Sequence, residues 1–249
     1  MLKGKNALIT GASRKQGIGF AIAKALAEWG ANVYLTTHHA YDATMPWGKP
    51  SPETDEILAD LRAFGVEAQS FEVDLSDPAS PKSLFDRLPP IDVLVNNAAY
   101  SVNADIDSLT SDVIDRHYEV NMRGTMLLCA EFVRRWDKKE GGRIINMSSG
   151  QGFGPMPGEL PYVATKGAIE AFTVSLSAEV MSRGITVNAV DPGATDTGWI
   201  PPDLYAIFEK QSPRGRVGMS ADAAKLVRFL ASPESEWITG QIIRSRGGV

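Results

Sequence analysis

Two side chains near the middle of the chain have types and a spacing suited to moving a proton. Tyr162 and Lys166 stand four residues apart, so on a helix both side chains would lie on one face. The phenol of tyrosine has a pKa near 10, and acid–base work near pH 7 needs a shift of roughly three units, or about 4 kcal/mol. A nearby ammonium favours the phenolate. The pair therefore predicts general acid–base chemistry, although such a pair alone is a weak motif.

A second stretch, Thr10–Gly19 (TGASRKQGIG), has the composition of a loop that holds a phosphate. It follows the apolar run Ala7–Ile9 and precedes the helical pattern that begins at Phe20. Glycines let backbone amides approach an anion, and a helix N-terminus adds unpaired N–H groups. The stretch therefore predicts a diphosphate cradle, and a tight turn without a ligand is the alternative.

The elements that must position these residues alternate between short apolar runs and longer periodic stretches. The predicted strands are Asn6–Ile9, Asn32–Thr36, Ala68–Val73, Val93–Asn96, Arg143–Met147, Thr186–Val190 and Gln241–Arg244. The predicted helices are Gly19–Trp29, Glu53–Phe64, Lys82–Arg87, Ser111–Trp136, Tyr162–Ser182 and Ala221–Leu230. Glycines at helix C-cap positions, Gly30, Gly65 and Gly184, each precede a strand. This alternation predicts an α/β fold with a parallel sheet covered on both faces, in one domain over residues 1–249.

Two segments stand outside the alternation. His38–Pro52 is longer than most connections between a strand and a helix, and Asp196–Pro213 contains the short amphipathic piece Leu204–Phe208. Both are predicted to be loops over a site, and the second is expected to act as a substrate loop or lid. Leu204–Phe208, Phe153–Pro157 and Trp199 are the candidate substrate walls, with ordinary loop packing as the alternative.

These motifs, in this order, resemble those of the classical short-chain dehydrogenase/reductase family, and the resemblance covers essentially the whole chain. The family loop Thr-Gly-x-x-x-Gly-x-Gly is matched by Thr10, Gly11, Gly17 and Gly19, although five residues rather than three separate the first two glycines. Asn96–Ala99 resembles the family motif Asn-Asn-Ala-Gly, with Ala99 in place of the glycine. The resemblance implies a Rossmann-type, doubly wound domain with a seven-stranded, mainly parallel sheet.

The resemblance also implies roles for individual residues. Tyr162 would be the acid and base, with Lys166 beside it. Ser149, preferred to Ser148, would hydrogen-bond the substrate oxygen. Asn121 would hold a water linking Lys166 to solvent, or else make a simple buried hydrogen bond. The residues expected to bind the cofactor are Gly11, Ser13, Arg14, Gly17, Ile18, Gly19, His38, Asp74, Leu75, Asn97, Tyr162, Lys166, Pro192, Gly193, Thr195 and Thr197.

The cofactor expected from the resemblance is a nicotinamide dinucleotide, with NADP(H) preferred to NAD(H). An acidic side chain at the end of the second strand usually accepts the ribose hydroxyls of NAD, but that position falls near Thr37 and no carboxylate follows before Asp42. Arg14, Lys15 and His38 are the candidate phosphate ligands. Asp74 is expected at the adenine, with a helix cap or a turn as the alternative.

Composition bounds the function further. The net charge of −5 and the mixed charges give no sign of nucleic-acid or membrane affinity, and no metal site is predicted. The single cysteine, Cys129, rules out an intrachain disulfide, and we expect a cytoplasmic protein and a homotetramer or homodimer. The expected reaction is reduction of a ketone, with a 3-oxoacyl thioester as one substrate. Oxidation of a polyol, sugar or steroid, enoyl reduction, and dinucleotide-dependent regulation without turnover are the alternatives.

Overall fold

The protein forms a seven-stranded parallel sheet in a computed structural model that describes residues 1–45 and 53–248. The strands are β1 (Asn6–Ile9), β2 (Asn32–Thr37), β3 (Ala68–Glu72), β4 (Val93–Asn96), β5 (Gly142–Met147), β6 (Ile185–Asp191), β7 (Thr195–Asp196), β8 (Gly218–Met219) and β9 (Ile242–Arg244). The spatial order is β3-β2-β1-β4-β5-β6-β9, and β7 pairs with β8 outside this sheet. Strand order reverses between β1 and β4, where open α/β sheets bind their ligands.

Helices cover the two faces of the sheet. They are α1 (Ile18–Ala27), α2 (His39–Asp42), α3 (Thr54–Arg62), α4 (Ser80–Phe85), α5 (Ser111–His117), α6 (Thr125–Arg135), α7 (Leu160–Val180), α8 (Pro202–Gln211) and α9 (Ser220–Ala231). A π-helical segment, Tyr118–Gly124, joins α5 to α6. No helix in the two described ranges is long and apolar enough to span a bilayer.

Burial on both faces explains why the strands read as continuous apolar runs. In β1, Ile9 packs into a core on one side of the sheet, which includes side chains of α1 and α9, and Leu8 packs into a second core beneath α4 and α6. Neighbouring residues of one strand point to opposite faces, so a strand between two helical layers has no solvent side. The predicted fold class is confirmed.

The element boundaries show where local sequence signals were sufficient to predict the end of a helix. Gly30, Gly65 and Gly184 all have positive φ, as expected of residues that end a helix. The predicted helix Ser111–Trp136 is interrupted by the π-helical segment and ends at Arg135, so this prediction was wrong in detail. Of the predicted insertion His38–Pro52, residues 46–52 lie outside the described residues.

A buried polar network fixes α7 against the centre of the sheet. Asn146, fully buried on β5, accepts a hydrogen bond from Asn96 Nδ2 at 2.8 Å and donates one to Thr173 Oγ1 of α7 at 2.9 Å. Asn96 Nδ2 also contacts the Cys129 sulfur at 3.3 Å. Since buried amides are costly unless they are paired, the network specifies how α7 docks on β5.

Asn146→Ala should therefore destabilise the fold by about 2 to 4 kcal/mol, because it leaves Asn96 Nδ2 and Thr173 Oγ1 without their partner. The measurement is urea unfolding of both proteins. Thr173→Val removes one of these two hydrogen bonds and should have a smaller effect. A loss in Asn146→Ala no larger than that in Thr173→Val would contradict the assigned role.

Candidate active site

The glycine loop packs tightly against the end of β4. Gly11 has φ of +69°, and a Cβ added there would lie 2.7 Å from the Cα of Ala98. A Cβ on Gly19 would lie 2.5 Å from the Gly11 carbonyl oxygen and 2.8 Å from Asn97 Nδ2. Asn97 Nδ2 in turn donates to the carbonyl oxygens of Thr10 and Gly11 at 2.8 and 2.9 Å. Neither position has space for a side chain, so the glycines are required by geometry.

The N-terminus of α1 suits a diphosphate. Gly17, its N-cap residue, has no side chain that could bond the first amides, and no acidic residue lies in the first turn. The unpaired N–H groups and the positive end of the helix dipole are therefore left for an anion. With the loop packed as described, the residues present fit the diphosphate of a dinucleotide.

A cavity of about 1230 Å³ opens at this edge of the sheet. The predicted cofactor residues found in its wall are Gly11, Ser13, Arg14, Gly17, Ile18, His38, Asp74, Leu75, Asn97 and Thr197. Within the described part of the chain, the wall does not include Gly19, Pro192, Gly193, Thr195, Asn121, Ser149, Tyr162 or Lys166. The wall does contain Glu159, three residues before Tyr162, so the predicted catalytic residues at the start of α7 lie next to the cavity.

The loop that follows β6, residues 192–197, forms several hydrogen bonds with itself and with the end of β6. Gly193 N donates to Asp191 Oδ1 at 2.9 Å, and Thr195 Oγ1 lies within 3.3 Å of the carbonyl oxygens of Pro192 and Gly193. Of the predicted cofactor residues in this loop, Thr197 lies in the cavity wall, and its carbonyl oxygen accepts from Arg14 Nη1 at 3.0 Å.

The two basic residues of the glycine loop have different surroundings. Lys15 Nζ pairs with Glu56 at 2.9 Å and with Asp60 at 3.0 Å, both on α3. Its charge is therefore directed at α3, and Lys15 is not a wall residue of the cavity. Arg14 is a wall residue, and burial lowers the pKa of its guanidinium while Asp42 and Glu53 oppose that change.

A carboxylate does stand at the end of β2, although it comes from another strand. Glu72 of β3 accepts from Thr37 Oγ1 at 2.8 Å and from His39 N at 2.7 Å. The sequence-based expectation that this position lacks a carboxylate was therefore incomplete, because it considered only the residues that follow β2. Asp74 accepts from Ser76 N at 2.8 Å in a turn, and it also lines the cavity 4.0 Å from His38 Nε2.

The predicted proton-transfer group is assembled at the start of α7 and the end of β5. Lys166 Nζ lies 5.5 Å from the centre of the Tyr162 ring, and it donates to the Met147 carbonyl oxygen at 2.8 Å. The Ser149 side chain lies beside the Tyr162 hydroxyl, where it acts to lower the pKa of the phenol. Ser148 instead donates to Glu170 Oε1 at 2.6 Å, so of the two serines it is Ser149 that contacts the phenol.

Burial favours the neutral forms of both the Tyr162 phenol and the Lys166 amine. Burial raises the pKa of Tyr162 to about 12, against the opposing effect of the Ser149 side chain. Burial also lowers the pKa of Lys166 to about 8. The expected lowering of the phenol pKa is therefore absent in the protein by itself, because burial outweighs the opposing effect of Ser149.

Asn121 lies in the π-helical segment and makes three hydrogen bonds. Its Nδ2 donates to the Tyr100 carbonyl oxygen at 2.9 Å and to Thr165 Oγ1 at 3.1 Å, and its Oδ1 accepts from Tyr100 N at 2.7 Å. A π-bulge is a frequent way of directing a side chain out of a regular helix at a functional site. Asn121 thus ties the loop after β4 to α7, one residue from Lys166.

Sequence reasoning missed one residue that bridges the site, Tyr41. Its hydroxyl accepts from Ser101 N at 3.1 Å, and its ring lies 5.5 Å from the ring of Tyr100. Tyr41 thus connects the segment after β2 to the loop after β4. The unusual length of His38–Pro52 indicated such a loop but not which residue would make the contact.

Known proteins similar to this chain cover almost all of it. A family model described as enoyl-(acyl carrier protein) reductase matches residues 11–249. The uncharacterized oxidoreductase YjdA of Bacillus subtilis is 45% identical over 250 residues, which are 98% of this chain and 96% of that protein. The promiscuous reductase LugOII, which catalyses keto-reduction at C1 during lugdunomycin biosynthesis, has a TM-score of 0.88 and 36% identity over 99% of this chain and 98% of its own. A short-chain dehydrogenase of Burkholderia cenocepacia J2315, solved with NADP, has a TM-score of 0.88 and 35% identity with the same coverage.

Gly19→Ala should weaken binding of a nicotinamide dinucleotide and destabilise the fold by about 1 to 3 kcal/mol, because the new methyl group overlaps backbone and amide atoms. NADPH titration by fluorescence and urea unfolding are the measurements. Gly154→Ala is the matched control, since a Cβ there meets nothing within 4 Å. Wild-type NADPH affinity in Gly19→Ala would show that the loop does not form the cradle.

The lowered pKa of Lys166 predicts a specific effect of pH on stability. The unfavourable burial of the ammonium is present in full below about pH 8 and is relieved as the pH rises toward 10.5, the ordinary value. Between about pH 8 and 10, the unfolding free energy of the wild-type protein should therefore rise relative to that of Lys166→Met. Denaturant unfolding across this range tests it, with the exposed Lys225→Met as the control. Parallel pH profiles for the wild-type protein and Lys166→Met would contradict the assigned burial.

Proposed function

The chain belongs to the short-chain dehydrogenase/reductase family, and from that premise we propose that it reduces a ketone to an alcohol with NADP(H). The observation that carries the proposal is the contact of Ser149 and Lys166 with Tyr162 beside a cavity of dinucleotide size. LugOII, similar over nearly its whole length, is itself a reductase of a keto group.

Each polar side chain has one task in the proposed reaction. The bound dinucleotide would supply a hydride to the carbonyl carbon, and its diphosphate would rest on the loop from Gly11 to Gly19. Tyr162 donates its proton to the carbonyl oxygen, which becomes the alcohol. Ser149 donates a hydrogen bond to the same oxygen and thereby stabilises the developing negative charge. Lys166 stabilises the phenolate that remains. Asn121 holds a water that links Lys166 to solvent, and through this water the lost proton is replaced.

The surroundings of Tyr162 support the reductive direction. A phenol with a pKa raised to about 12 carries its proton at neutral pH, so it is ready to act as an acid. Alcohol oxidation needs the phenolate, which requires further positive charge near the ring. Without its cofactor, the protein therefore presents Tyr162 in the protonated form that reduction requires.

Tyr162→Phe should abolish reduction while leaving the NADPH affinity within several-fold of wild type, because only the proton donor is lost. NADPH consumption is followed with ketones, 3-oxoacyl thioesters and enoyl thioesters, and NADP reduction is followed with secondary alcohols. Tyr205→Phe, on α8, is the matched control and should retain turnover. Wild-type turnover in Tyr162→Phe would refute the assigned acid, and cofactor binding with no reaction on any compound would favour a regulator.

We also propose a preference for NADP(H). Arg14 in the cavity wall supports it, as does the similar B. cenocepacia dehydrogenase solved with NADP, whereas Glu72 and Asp74 bring negative charge to the same region.

Arg14→Ala should weaken NADPH binding about tenfold while changing NADH binding little, because a charge-assisted hydrogen bond to the additional phosphate is lost. Titration of both cofactors is the measurement. Lys15→Ala removes the same charge from a side chain held by α3, so it is the control. Equal losses for NADPH and NADH in Arg14→Ala would remove the support for a phosphate contact.

The remaining proposals concern assembly, location and the lid. A homotetramer or homodimer is supported by the exposed apolar side chains of Ile114, Tyr118 and Val174, and light scattering tests it. A cytoplasmic location is supported by the single, buried cysteine, Cys129. A lid role for 196–213 is supported by the positions of Trp199, Leu204 and Phe208 in the cavity wall.

A further inference from the structure

Glu159 is a cavity-wall residue to which the proposed reaction assigns no task. It immediately precedes α7 and lies three residues before Tyr162. Side chains three residues apart at a helix end are close neighbours, with Cβ atoms about 5 to 6 Å apart. A substrate whose carbonyl oxygen contacts Tyr162 would therefore place its next few atoms near Glu159.

The backbone at Glu159 is held in place by a neighbouring loop. Ala104 N donates to the Gly158 carbonyl oxygen at 2.7 Å, and Leu160 N donates to the Ala104 carbonyl oxygen at 3.1 Å. These bonds form a parallel bridge between Ala104 and Glu159. The Glu159 carbonyl oxygen also accepts from Val163 N at 2.9 Å, in the first turn of α7. The side chain is thus presented to the cavity from a fixed position.

The carboxylate of Glu159 is partly buried, and no residue in the ranges 1–45 and 53–248 makes a hydrogen bond or ion pair with it. Burial is the cause that raises the pKa of this carboxyl, and no cation opposes it. The basic residues in the described part of the wall are engaged elsewhere. Arg14 donates to Thr197, Arg116 donates to Ser76 at 2.7 Å, and His38 lies nearest to Asp74.

The rest of the nearby wall gives the carboxylate little compensation. Tyr100, Trp199, Leu204 and Phe208 line the same cavity and present mainly apolar surface. A carboxylate among such groups is costly unless a ligand supplies a hydrogen-bond donor or a positive charge. A second carboxylate placed there would add repulsion between like charges, which is strong in a partly dry cavity.

We propose that Glu159 is a specificity-determining residue of the ketone site, which selects apolar or aromatic ketones that carry a hydroxyl or amino group near the carbonyl and rejects those that carry a carboxylate. This inference rests on the proposed function, since it assumes that the substrate carbonyl lies at Tyr162.

The test uses three ketones that share one ring and differ in charge. They are 4-acetylbenzoate, its neutral methyl ester, and 4-(aminomethyl)acetophenone. Values of kcat/KM with NADPH are measured at about pH 8, well above the ordinary pKa of a glutamate side chain. In the wild-type protein the ammonium compound should be preferred to the ester, and the ester to the benzoate.

Glu159→Gln keeps the shape of the side chain and removes its charge. The kcat/KM ratio of benzoate to ester should rise by about tenfold or more, and the ratio of ammonium compound to ester should fall by a similar factor. Glu179→Gln removes the same charge from an exposed position near the C-terminal end of α7, away from the cavity wall, and should leave both ratios at their wild-type values. Unchanged ratios in Glu159→Gln would overturn the proposal.

Calorimetric binding of the same three ketones separates this inference from the proposed function. A wild-type protein that turns over none of them would count against the ketone site. The dissociation constants would then still report on Glu159, and equal charge preferences in the wild-type protein and Glu159→Gln would overturn its role. If Glu159→Gln is poorly folded, Glu159→Ala is measured by the same two ratios.

Discussion

The buried ammonium of Lys166 is the constraint on which the site depends. The side chain is 4% exposed, and its Nζ is held by the Met147 carbonyl oxygen at the end of β5. A buried lysine is unfavourable as a cation unless its environment is fixed well enough to keep its one hydrogen bond. The docking of α7 on β5 must therefore be rigid, since a small displacement would leave the ammonium without that acceptor.

That rigidity comes from polar contacts rather than from the apolar core alone. Asn146 links β4, β5 and α7 through Asn96 and Thr173, and Asn121 links α7 to the loop after β4 through Thr165. Apolar packing tolerates small slips of a helix, whereas a buried amide held by hydrogen bonds does not. The two asparagines sit on either side of Lys166, so they determine where its ammonium lies.

The sequence predicted those parts of the fold that local chemistry determines. Apolar runs located β1 and β4 to the residue, and Gly30, Gly65 and Gly184 have the positive φ that their C-cap positions require. Ala99 is also accommodated, since no residue other than glycine has positive φ in the described ranges. The predicted group at Tyr162 could be found because its members are close in sequence or follow a strand end.

The features that the sequence did not reveal depend on contacts between distant segments. Glu72 reaches Thr37 because β3 lies beside β2, and nothing in the residues around Thr37 indicates this neighbour. The π-helical segment at Asn121 has no apolar signature, because one additional residue in a turn leaves both flanking helices amphipathic. Glu159 resembles any polar residue before a helix until the cavity is seen. Lys15 resembles a phosphate ligand until α3 supplies Glu56 and Asp60.

The charges around Tyr162 explain why its phenol keeps a proton although a lysine is close. Glu159 and Asp191 both favour the neutral phenol, in addition to the dominant effect of burial. Asp191 is 1% exposed and paired with Arg246 at 3.0 Å, so much of its charge is balanced within the protein. Glu159 is balanced by no described residue, and burial lowers the pKa of Lys166 to about 8, so its ammonium is less strongly retained than that of an exposed lysine. The protein therefore holds the phenol of Tyr162 in its protonated form and leaves the charge of Glu159 without a partner among the described residues.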